Sequence, residues 1–420
     1  MTDDHPTRSE PEPPPMPGYP VPAQAPPPAP EQLPPPPAAQ PAAPAAEDRV
    51  WLHFAWEGTL LVLLAGAIGL WWLFGGDTEL LQDPGLLRDR LYGLAPFLLL
   101  ATALAASIRV RAVNLAVGAV AGLAALLFVK WEDDGRLIAA ALVVAAALAT
   151  TLALVALVAV LRVPGWAASL GAAVAVLASA AVIAEDEGIE IAPSATGLLG
   201  AVRQIPTVTT GEELVWVVVS TVLAVSVLGG TIGILPPVRR RLEACRAEAG
   251  ASDRRTLAPA VSTGTGLLVS NLLAAGAGVL LVIPAETATA GLTVPAEALE
   301  PAGVTLALAI VLLGGTSLWG KRGGVFGTLL AALAVFAVFV AFEEVGWSDQ
   351  SYWIVVGALA LGFGVSWLVE RFGTRSPRPA ELPPLDSVAA LAEPEPPAAT
   401  DSEEPAPPPA PEPDPVPTAR

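Results

Sequence analysis

The chain has 420 residues, of which 53% are hydrophobic and only 15% charged, with a mean hydropathy of +0.59. Soluble domains run nearer a quarter charged, so the composition excludes a string of soluble domains and predicts a membrane protein. The net charge of −18 splits into about −5 in each terminal fifty residues and −8 between them. That leaves no basic surface to neutralise phosphates, and no nucleic-acid partner is expected.

Residues 1–50 contain no apolar stretch that could serve as a signal peptide. Segments such as 11-PEPPPMPGYPVPAQAPPPAPEQLPPPP-37 cannot bury enough apolar area to offset the entropy of ordering. Residues 371–420 read the same way, and the two tails together hold 33 of the 44 prolines. They are expected as disordered, polyproline-II-like cytoplasmic tails, or else as docking sites for a proline-recognising partner.

Between the tails, residues 51–370 form one transmembrane domain. A helix needs roughly 20 apolar residues to cross the hydrocarbon core. Ten segments meet this approximately: 56–74, 94–108, 110–129, 137–161, 163–183, 213–235, 257–283, 303–319, 324–342 and 351–369. The fold class is therefore all-α, a polytopic membrane protein of about ten spans. The junction at Arg162-Val163-Pro164-Gly165 reads as a tight turn or a kink.

Loop charges set the orientation. With the N-terminus inside, the inner loops carry eleven cations: Arg109, Arg111, Arg162, Arg239, Arg240, Arg241, Arg246, Arg254, Arg255, Lys321 and Arg322. The outer loops carry five: Arg88, Arg90, Lys130, Arg136 and Arg203. Both termini are thus expected in the cytoplasm, with the chain in the cell membrane.

The stretch 314-GGTSLWGKRGGVFGTLL-330 places Gly315, Gly320 and Lys321 at the G-x-x-x-x-G-K spacing of a phosphate-binding loop. That loop needs Ser or Thr after the lysine to hold magnesium, and Arg322 stands there. It also needs a strand feeding a soluble helix, whereas 303–320 reads as a span. The nucleotide-site reading is rejected.

Ionisable residues inside spans usually mark ion or proton pathways. None lies deep in these spans; Glu57 and Glu370 fall at or near span ends. Ion-coupled carriage therefore ranks behind the other readings, and no enzyme chemistry is expected. Cys245 is the single cysteine, and the two histidines are His5 and His53, so neither a metal site nor another cofactor is expected. The interior does hold neutral polar residues: Asn114, Thr150, Thr151, Ser169, Ser220, Thr221, Ser226, Ser270, Asn271 and Ser366. They read either as helix-packing groups or as the polar lining of a substrate pathway. Gly118 with Gly122, and Gly323 with Gly327, have the spacing that lets helices approach closely. The basic inner loop 236–255 reads as positive-inside retention or as a docking helix for a soluble subunit. The outer loop 184–213 is long enough to receive a soluble partner or to act as a spacer.

Taken together, GGTSLWGKRGGVFGTLLAAL, Asn114-Leu115-Ala116-Val117-Gly118 and Val163-Pro164-Gly165-Trp166-Ala167-Ala168-Ser169-Leu170-Gly171 resemble motifs of the permease subunits of ribose-type ABC sugar importers. The first is similar to that family's GGTSL-x-G-x-R-G-x-x-x-GT-L signature. The second resembles I-D-L-S-V-G, with Asn for Asp, and the third V-P-P-F-I-A-T-L-G. The resemblance spans roughly residues 56–370. It implies a second permease subunit, a cytoplasmic ATP-binding subunit and an extracytoplasmic solute-binding protein as partners, within the lipid bilayer. It also implies alternating-access import of a small neutral solute, a monosaccharide or a nucleoside-like molecule. Asn114, Gly118, Trp166, Ser169, Asn271, Thr316 and Ser317 are the implied pathway residues. Arg239, Arg240, Arg241, Arg246, Arg254 and Arg255 are the implied docking surface for the ATP-binding subunit. The segment 243-EACRAEAGASDRRTLAPAV-261 keeps little of the family's ATPase-engaging pattern. The alternative is a membrane-anchored scaffold that has lost ATPase coupling and recruits partners through its tails.

Overall fold

The computed structural model describes residues 50–73, 83–187, 190–192, 212–235, 237–238, 240–242, 257–283, 293–295, 301–320, 326–347 and 352–372. The two tails lie outside them. So do Arg239, Arg246, Arg254, Arg255, Lys321 and Arg322, and most of the loops 184–213 and 236–255.

A helix occupies each of the ten predicted apolar segments. In chain order these are α1 (Val50–Leu73), α2 (Pro84–Arg109), α3 (Val117–Trp131), α4 (Arg136–Val155), α5 (Gly165–Glu187), α6 (Glu212–Ile234), α7 (Leu257–Val282), α8 (Pro301–Leu313), α9 (Gly327–Glu344) and α10 (Tyr352–Phe372). Two three-residue strands, β1 (Glu190–Ala192) and β2 (Thr293–Pro295), pair in parallel with Glu190 opposite Thr293. Seven helices are long and apolar enough to cross a membrane; the apolar parts of α3, α8 and α9 are shorter. The chain is a multi-pass, helical membrane protein.

The shortness of α3 and α8 has a local cause. The apolar segments 110–129 and 303–319 each read as one span, but the backbone leaves helical geometry at 110–116 and at 314–320. Those residues are spent on turns, so the helical part of each segment falls below a full span.

Burial follows helical periodicity where a helix is peripheral. In α1 the buried residues are Glu57, Leu60, Ala67 and Trp71, while Leu61, Val62, Trp72 and Leu73 are exposed. In α4 the buried stripe runs through Ala139, Val143, Ala147, Thr151 and Leu154, and Leu137 and Leu152 face outward. Large aliphatic side chains on an outer face are unfavourable in water and ordinary in lipid. By contrast α2 and α3 are buried almost all round and form the centre. Helices α6, α7 and α8 pack on α2, α7 also packs on α3, and α1 packs on α9.

Helix α2 begins with Asp83 as its N-cap, accepting from the Gly85 N–H at 2.8 Å, with Pro84 in the first turn. The α3–α7 crossing is close because Gly278 has no side chain: a Cβ there would overlap the Ala121 carbonyl. Between α4 and α5 the chain turns through a single π-helical turn at Ala156–Val160 and a left-handed Arg162 (φ 58°). The predicted junction is thus a tight turn.

Candidate functional site

The two irregular segments begin alike. After α2, the Arg111 N–H donates to Ile108 O (2.9 Å) and the Ala112 N–H to Ser107 O (3.1 Å), with Arg111 at φ 56°. After α8, the Gly315 N–H donates to Leu312 O (3.0 Å) and the Thr316 N–H to Val311 O (3.2 Å), with Gly315 at φ 86°. In both, a left-handed residue lets two successive N–H groups reach back to carbonyls the helix end would orphan.

Beyond that shared start, the first break is sealed by neutral side chains. Ser107 Oγ accepts from the Asn114 N–H (3.1 Å), and Asn114 Oδ1 accepts from the Ala116 N–H (3.1 Å). The Ser169 hydroxyl accepts from the Leu115 N–H (3.0 Å) and donates to Val113 O (2.9 Å). Asn114 Nδ2 then donates to Ser270 Oγ (3.1 Å) and Asn271 Oδ1 (2.8 Å), and Asn271 Nδ2 donates to Thr151 Oγ1 (2.9 Å). Asn114, Ser270 and Asn271 have no exposed surface. Five elements, α2, α4, α5, α7 and the break itself, are tied by this buried network. A fully satisfied polar network rigidifies a core; a partly satisfied one is costly.

The second break is held by carboxylates from two outer helices. Glu370 on α10 accepts from the Ser317 hydroxyl, and Glu57 on α1 accepts from the Phe326 N–H at 3.0 Å. Ser366 Oγ accepts from the Leu318 N–H (3.2 Å), Ser317 Oγ from the Trp319 N–H (3.0 Å), and Trp56 Nε1 donates to Leu313 O (2.8 Å). The Thr316 hydroxyl, fully buried, has no partner among the described residues. Beside this break is a cavity of about 250 Å³ bounded by Trp56, Glu57, Gly315 and Val365.

The breaks also touch each other. Arg111 Nε donates to Trp319 O at 2.9 Å, and a Cβ on Gly320 would stand 2.9 Å from Ile108 O. Glycine is required at Gly320 twice over, by that approach and by φ 73°. Gly314 and Gly327 meet similarly, a Cβ on Gly314 standing 2.8 Å from the Thr328 nitrogen. The motifs around Asn114, Ser169 and Gly315, far apart in sequence, are therefore one contiguous structure.

Six of the seven pathway residues named from sequence, Asn114, Gly118, Ser169, Asn271, Thr316 and Ser317, are buried in or beside these breaks; Trp166 is exposed. None lines the cavity beside the second break. Arg240 and Arg241 are exposed and helical, beyond the end of α6. Sequence reasoning passes over Ser107, Glu57 and Glu370 as bonding partners. Their signal is faint: one serine in an alanine run, and two acids at span ends. Among the described residues no group of His, Cys, Asp and Glu could hold a metal.

No family model, curated protein or solved structure matches the chain.

Proposed function

We propose that the chain is the permease subunit of a multisubunit ABC importer for a small neutral solute, with ten membrane crossings and both termini cytoplasmic. The observation that carries this reading is the meeting of two helix breaks at residues 110–116 and 314–320. Non-helical backbone at membrane depth persists only where protein buries it or where it lines a cavity. Here two such breaks are joined, and hinge points of this kind are what alternating access uses. Three crossings, at α3, α8 and α9, would be completed by the irregular residues beside each helix.

With the side chains of Asn114, Ser169, Ser270 and Asn271 committed to one another and to backbone, the solute route runs between two copies of the chain, along the faces now exposed. Arg240 and Arg241, exposed at the end of the bundle that holds both breaks, belong to the surface that receives the ATP-binding subunit. Asn114 and Asn271 position the breaks and do not contact the solute.

Purification of the full chain from its native membrane in mild detergent tests this directly. Recovery of a stoichiometric ATP-binding subunit, and solute uptake that stops when ATP is depleted with the ion gradient intact, is the expected result. Uptake that follows the ion gradient instead, or recovery of tail-binding proteins alone, overturns it.

A further inference from the structure

Helices α6 and α7 both pack on α2 but scarcely on each other. The gap between them is a cleft of about 520 Å³. Its floor is made of small residues of α2, Thr102, Ala105 and Ala106, and its walls include Leu228 and Ile232 of α6 and Val261 and Val269 of α7. These four aliphatics are between 41% and 66% exposed although they line a concavity. Along α7 the cleft runs from Val261 to Leu273, roughly 18 Å at 1.5 Å per residue. That is close to the ~15 Å depth of one leaflet's hydrocarbon.

One end is chemically different. Arg109, in the last turn of α2, and Arg241, just past α6, both line that end, and no acidic residue is among the described lining residues. Arg109 Nη1 donates to Gly229 O at 2.9 Å, which fixes its guanidinium at the wall. The cleft is thus an apolar slot one leaflet deep with two guanidinium groups at its mouth. Guanidinium groups favour phosphate oxygens, and basic pockets between membrane helices suit anionic headgroups.

We propose that this cleft binds an anionic phospholipid from the leaflet at the Arg109–Arg241 end. One acyl chain lies along the α6–α7 gap and the phosphate sits between Arg109 and Arg241. By filling the gap, the lipid completes the packing of α6 and α7 over α2. This assignment does not depend on the importer reading and can fail or stand separately from it.

Native mass spectrometry of the purified full chain with added phosphatidylglycerol or phosphatidylcholine of matched chains provides the test. We expect phosphatidylglycerol to be retained at least several-fold better than phosphatidylcholine. Arg241→Gln should weaken its binding about tenfold, the value of one charge-assisted contact. Thr265→Trp, which adds bulk from the exposed α7 wall, should abolish the preference, and Leu152→Trp, on an exposed face of α4 outside the cleft lining, should leave it intact. Equal retention of the two lipids, or a preference that survives Thr265→Trp, overturns the site. Inorganic phosphate binding as tightly as the lipid overturns it too, because the acyl slot would then contribute nothing.

Discussion

The α2–α3 break and the α8–α9 break solve one problem by different chemistry. Each ends a helix inside the bundle with a left-handed residue and two reaching N–H groups. The first uses Arg111 in the left-handed position and closes with an Asn–Ser–Thr network in which every described polar side chain has a partner. The second uses Gly315, takes its support from two carboxylates on outer helices, and leaves the Thr316 hydroxyl without a partner among the described residues. The first break is a closed polar core, whereas the second can be released by shifting α1 or α10. That difference assigns rigidity to the Asn114 side and adjustability to the Gly315 side.

Substitutions can sharpen or break this contrast, read as thermal unfolding of the purified protein by tryptophan fluorescence. The largest effect is expected at Gly327→Ala, since the new Cβ overlaps the Gly314 carbonyl, a backbone group that cannot swing aside. A loss above about 4 kcal/mol, seen as failure to recover folded protein, is expected. Next is Asn114→Leu, which removes three side-chain hydrogen bonds and strands Asn271 and the Ala116 N–H. It should cost about 3 kcal/mol. If it proves neutral, the closed-core description is wrong.

Gly315→Ala is expected to cost about 2 kcal/mol, from the left-handed backbone and a Cβ placed 3.1 Å from Trp56 Cδ1. Thr316→Val has the opposite sign. It deletes an unpartnered buried hydroxyl at nearly constant shape and should stabilise by about 1 kcal/mol. Destabilisation there would mean that the hydroxyl is used, and would remove the asymmetry between the breaks. The smallest change is expected for Arg111→Gly, where relief of a left-handed non-glycine residue, about 1 kcal/mol, offsets loss of the hydrogen bond to Trp319 O.

The second break is partly legible in the amino-acid sequence. Two adjacent glycines, another five residues later and a following glycine-rich run mark a place where the backbone turns and approaches closely. Nothing comparable marks the first. The stretch Val110-Arg111-Ala112-Val113 reads as continued helix, because its left-handed residue is an arginine and its helix-ending bonds come from Ser107, Ser169 and Asn114. Ser169 sits more than fifty residues from the backbone it supports, a distance no local pattern reports. Likewise Glu57 and Glu370 read as ordinary span-end acids, and only packing shows that both reach residues flanking one loop.

The order of residues alone dictates the solvent and the element type. Long runs of apolar residues cannot leave backbone groups unpaired in hydrocarbon, so they fold as helices wherever else they pack. The number of apolar segments is set at the same level, since each is bounded by charge or proline. Packing in three dimensions sets where those helices break, which polar residues face one another, and that α6 and α7 leave a gap over α2. Those outcomes depend on pairings between residues 50 to 270 positions apart, and such pairings are settled by close packing and hydrogen-bond satisfaction, not by local propensity.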